Sequence, residues 1–171
     1  MDFPQQDEIR RLVCGAFPAV PPVNLMTLEA GNDVDSYRTP KPDMPGYRTH
    51  RSWLEIEAAY FSKFFCGFIY LDPSSWKFYL PRFITFALDH MNDGSSLVID
   101  SCLAALRPPD REPPQLGSLT TEQVEVVKRA LTMLAFDENS SHRGMALQVL
   151  EEGWVENPMY PWREEEKSIS H

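Results

Sequence analysis

Proline placement constrains this chain more than any other feature. Fifteen prolines punctuate 171 residues. Between them apolar residues recur at helical spacing, with no convincing strand alternation. Proline lacks an amide hydrogen and clashes with the preceding turn, so each one starts, stops or bends a helix. The blocks that remain predict an all-α fold: one compact domain, residues 1–171, of six or seven helices. Apolar residues make up 43% of the chain, enough for a real core at this length.

The first block, about Gln5 to Phe17, puts Ile9, Leu12, Val13, Ala16 and Phe17 on one face before Pro18 ends it. Residues 19–51 lose the period and are rich in proline. They read as a long irregular connection, with at most an extended piece at 23–28 or a small hairpin, and as a candidate contact surface. A second helix is expected from Ser52 to about Phe65, with Ser52 as cap, Glu55 as its capping-box partner and Gly67 closing it. On that helix Glu57 points into the apolar arc. Asp72-Pro73 predicts a short helix to Tyr79, an interruption at Pro81, and a restart over 82–91.

A further helix should start at Ser95 or Ser96 and end near Leu106, before Pro108-Pro109. Thr120 and Gln123 stand at capping-box spacing and open a helix to about Phe136, on which Glu125 and Arg129 can pair. The last helix covers about Ser141 to Glu152, with Gly153 after it. Residues 163–171 read as a charged, frayed tail.

Charge narrows the function. The balance is 16 basic against 25 acidic residues, net −9. Nucleic acid and anionic lipid both demand a basic face, so neither is expected as a partner. A basic protein surface suits this chain better, although acidic surfaces also serve solubility alone. Cys14, Cys66 and Cys102 form no CxxC pair and read as buried free thiols, as in a reducing compartment. The amino-terminal stretch is unlike a signal peptide, and no apolar run is long enough to span a bilayer. A cytoplasmic location is expected.

Motifs for chemistry are scarce. His50, His90, His142 and His171 show no zinc spacing. Asp89, Asn92 and Asp93 start like a calcium loop, but no further oxygen ligands follow Gly94, and a turn between helices explains them as well. Nucleophile elbows and phosphate-cradling loops are absent. No metal and no cofactor are expected. A dispersed catalytic site would have to use Glu57, His90 and Arg82. A structural buried pair is the commoner explanation of such a glutamate, and a boundary position reaching water is commoner still.

Phe17-Pro18, Pro21-Pro22, Trp53, Phe78-Tyr79-Leu80-Pro81 and the run from Leu119-Thr120 to Gln123 together resemble a family of bacterial proteins described as a domain of unknown function. The resemblance covers most of residues 9–135. Arg82 departs from it, since a small residue is expected after the proline. It implies a bacterial origin and no particular activity.

The expected function is therefore non-catalytic protein binding, such as a bacterial immunity or inhibitor protein that neutralises a basic partner. Contact residues are sought among the acidic positions expected to be exposed: Asp33, Asp35, Asp43, Asp110, Glu112, Glu151 and Glu152. The alternatives are an enzyme built around Glu57, His90 and Arg82, and a scaffold subunit that self-associates through its aromatic surface.

Overall fold

A computed structural model describes residues 3–40 and 47–163. Among them are seven α-helices and no strand: α1 (Phe3–Ala16), α2 (Leu28–Asp35), α3 (Ala58–Phe64), α4 (Pro73–Asp89), α5 (Leu97–Ala105), α6 (Thr121–Phe136) and α7 (Arg143–Gly153). The all-α expectation holds. No described helix is long and apolar enough to cross a membrane.

The caps explain most of these boundaries. Asp72 accepts the Ser75 amide at 3.0 Å and the Ser75 hydroxyl at 2.7 Å, and Pro73 occupies the first turn of α4. Ser96 caps α5. Thr120 and Gln123 form the full capping box of α6, and the Gln123 amide also donates to the carbonyl of Ala16, tying α6 to the end of α1. Helix α4 is the central element. It touches α1, α5 and α6, and Trp76, Tyr79, Leu80 and Phe83 are fully buried on it.

Five expectations are corrected. The interruption at Pro81 does not occur, because α4 runs through that residue. Pro81 itself is buried, so the packing around it offsets one lost hydrogen bond. The helix expected from Ser52 to Phe65 is three pieces: a 3-10 turn at Trp53–Glu55, then α3, then a second 3-10 turn at Phe65–Tyr70. Ser52 caps the first turn by accepting from Leu54, without Glu55.

The connection 19–51 is not wholly irregular: it contains α2, capped by Thr27, and the extended piece or hairpin does not form among its described residues. Of the three cysteines, all free, only Cys102 is buried, and burial pushes its thiol up to about 12. Cys14 is exposed because it stands off the buried line formed by Ile9 and Val13 of α1 with Phe17 just beyond it. Of the frayed tail expected over residues 163–171, all but Arg163 lies outside the described residues.

Helix α2 has a specific reason to exist. Its Gly31 lies against the backbone of Gly67 in the second 3-10 turn. A β-carbon at either position would meet backbone atoms of the other segment at or inside 3.0 Å. Two chain segments can approach this closely only where both residues lack side chains.

Candidate functional site

Between α5 and α6 the chain passes through Pro108, Pro109, Pro113 and Pro114, which bar a helix. The resulting loop is rigidly tied by side chains. Asp110 Oδ1 accepts the amides of Arg111, Gln115 and Leu116 at 2.8, 2.9 and 2.8 Å, and Oδ2 accepts that of Gly117 at 2.7 Å. The Gln115 amide donates to the carbonyls of Ile69 and Leu71. Lys77 Nζ donates to the Ser118 carbonyl.

At the near end of the loop, Arg107 forms a two-pronged pair with Glu152 of α7, at 2.6 and 2.8 Å. That bond holds Glu152 below the usual carboxylate range and raises Arg107. The Trp154 indole donates to the Leu106 carbonyl, and Trp162 packs on Trp154 and donates to the Gly153 carbonyl.

This ridge separates two open grooves, of about 950 and 850 Å³. Pro109, Asp110, Arg111 and Glu112 line both. The larger is walled on its far side by Met159, Tyr160 and Trp162, and the smaller by Met26, Ile69 and Tyr70. Met159, Tyr160 and Tyr70 are 65%, 52% and 41% exposed. Tyrosine, methionine and arginine around a rigid ridge are the residue types enriched in protein interfaces. Asp35, at the end of α2, stands beside the Tyr70 hydroxyl and raises its pKa, and Arg111 of the loop lies within electrostatic reach of it. The fold thus gathers Asp35, Tyr70 and the 110–112 ridge, far apart in the chain, on one face.

The acidic candidates divide accordingly. Glu112 and Glu151 are exposed, and the Glu151 carbonyl accepts the Met159 amide beside the larger groove. Asp35 is half-buried at the smaller groove's edge. Three more expected exposures are corrected. Glu152 is 6% exposed and engaged by Arg107. The Asp110 carboxylate is taken up by four backbone amides. Asp33 is bonded to Tyr47 and paired with Arg38 at 3.0 Å. Asp43 lies outside the described residues.

The catalytic candidates do not converge. Glu57 is exposed, because the break before α3 resets the helical register. Half-buried Arg82 donates to the Ile56 carbonyl at 2.9 Å. His90 is exposed at the end of α4, against Phe86, and Asp89 pairs with Arg10 at 2.5 Å rather than with His90. No two of Glu57, Arg82 and His90 line one of the main cavities. The Asn92–Ser95 stretch is a turn: Asp93 is bonded by Ser95, and its backbone carbonyl meets His142 Nε2 at 2.7 Å. Among the described residues no group of three His, Cys, Asp or Glu could hold a metal ion.

A second polar cluster escaped the sequence reading. Glu29 of α2 is 7% exposed; it accepts the Tyr60 hydroxyl at 2.5 Å and the Arg48 amide at 3.1 Å. Tyr79 accepts the Leu28 amide. Burial, with Tyr79 and Glu29 close by, pushes the Tyr60 phenol far up. His50 sits edge-on to Tyr60 and Tyr79, with Nε2 buried and unbonded among the described residues. The available signal was Thr27 two residues before Glu29, a helix cap hidden in a proline-rich stretch.

Burial lowers the His50 pKa from its ordinary 6.5; Glu29 opposes this and Arg48 adds to it. A depressed folded-state value gives stability that is complete above 6.5 and lost as pH falls through the lowered value. The urea midpoint should fall between neutral pH and pH ~5, and less so in His50→Gln. An equal fall in both proteins would remove His50 as the cause.

The chain belongs to a family of proteins of unknown function. Residues 5–158 match the family described as "Family of unknown function (DUF6714)". No curated protein and no solved structure matches the chain.

Proposed function

We propose that this chain is a non-catalytic protein-binding domain whose contact surface is the proline ridge 107–118 with its two flanking grooves. The observation that carries the reading is the combination of a ridge locked by the Asp110 carboxylate with exposed Tyr70, Met159 and Tyr160 on either side. A preorganised ridge binds without the entropy cost of ordering a loop, and protruding aromatics supply the anchors. The net charge of −9, with Glu112 and Glu151 exposed beside the grooves, favours a basic partner steered by charge. Within that class the specific form we favour is a bacterial immunity or inhibitor protein acting in the cytoplasm.

The test is an affinity pull-down from the source cells at low and high salt. The expected result is one basic protein in stoichiometric amount, weakened as salt rises. If the inhibitor form is right, that protein has a toxic activity which disappears in the complex. Recovery of a second copy of this chain alone would favour self-association instead, and no partner at either salt would count against protein binding.

A further inference from the structure

A cavity of about 250 Å³ opens beside the Glu29 cluster, far from the proline ridge in sequence. It is lined by Glu29, Arg48, Glu57, Tyr60, Lys63 and Phe64. Its floor holds the buried Glu29 carboxyl group, which accepts one hydrogen bond from a phenol and one from a backbone amide and makes no ion pair among the described residues. A buried carboxylate is costly unless a positive group faces it. At the mouth, among the described residues, Arg48, Glu57 and Lys63 form no ion pair either. The Arg48 guanidinium lies over the Tyr60 ring at 5.8 Å, and Lys63 Nζ lies 5.2 Å from the centre of the Phe64 ring.

Two acidic and two basic groups make the lining neutral overall, with none of the four in an ion pair among the described residues and two aromatic side chains beside them. A ligand that is itself neutral overall, with a separated cation and anion, matches this lining. The space holds roughly eight non-hydrogen atoms, judged by the volume each water occupies in the liquid.

We propose that this cavity binds a free α-amino acid or a zwitterion of that size. The ammonium group faces Glu29 and Glu57, the carboxylate faces Arg48 and Lys63, and the side chain lies against Tyr60 and Phe64. Charge-assisted hydrogen bonds at both ends give the specificity.

The test is titration calorimetry of the full chain with L-alanine, L-leucine, L-phenylalanine and L-glutamine. Two single-charge analogues of leucine, 4-methylpentanoate and 3-methylbutylamine, complete the set. At least one amino acid should bind saturably below about 10 mM, with its single-charge analogues weaker by about tenfold or more. Arg48→Met and Glu57→Gln, both at exposed positions, should each weaken the same ligand by about tenfold while the circular dichroism spectrum stays unchanged. Absence of saturable heat across the panel overturns the proposal. So does an amine or carboxylate analogue that binds as well as leucine, or binding indifferent to both substitutions.

Discussion

Alanine at Gly67 should destabilise the domain by about 3 kcal/mol or more, at the upper end of what overpacking does. The added β-carbon would lie 2.5 Å from the Asn32 amide nitrogen and closer still to the Leu28 carbonyl. Both obstacles are backbone, so no side chain can rotate away. Helix α2 would have to lift off the Phe65–Tyr70 turn, and Glu29, carried on α2, would lose Tyr60. Gly31→Ala should behave alike, since its β-carbon would strike the Gly67 carbonyl. By contrast Gly15→Ala, with nothing within 4 Å, should be neutral or stabilising in its helix. Urea denaturation of the three variants measures this, and a mild Gly67→Ala would mean that α2 is loosely held.

The second large effect is expected at Asp110. Replacing it with alanine strips the acceptor from four backbone amides at once. Each donor left short of a partner costs about 1 kcal/mol, less where water reaches it, which suggests about 2–4 kcal/mol in all. Damage should concentrate in the loop, so limited proteolysis should cut within residues 107–118 before the rest unfolds. Asp110→Asn should fall between, because one carbonyl oxygen can still serve the three amides at Oδ1. Wild-type resistance in Asp110→Ala would show that the prolines alone hold the ridge.

Local signals carried the fold where helices announce themselves. Thr120 with Gln123, Asp72 with Pro73, and Ser96 mark caps that depend only on nearby residues. The failures depend on residues far along the chain. Helix α2 is short, contains glycine, and is secured by Gly67, 36 positions away. Pro81 signals a break locally, yet packing around α4 overrides it. A single helix over 52–65 turned Glu57 inward, while the observed break, with Ile56 at ψ 120°, turns it to solvent.

The candidate surface was half legible for the same reason. Acidic residues can be read off a chain, but their engagement cannot. Glu152 is consumed by Arg107, 45 positions earlier, and Asp110 by the loop it organises. Tyr70 and Tyr160 stand out only once the fold leaves them exposed beside one ridge.

The most direct test of the binding surface compares the wild-type chain with the double variant Tyr70→Ala, Tyr160→Ala in the same pull-down. Both side chains are exposed, so the variant should fold normally. We expect the wild type to retain a basic partner at low salt and the double variant to lose it at any salt. Undiminished capture of the same partner by a folded double variant would contradict the assignment of the proline ridge and its grooves as the contact surface.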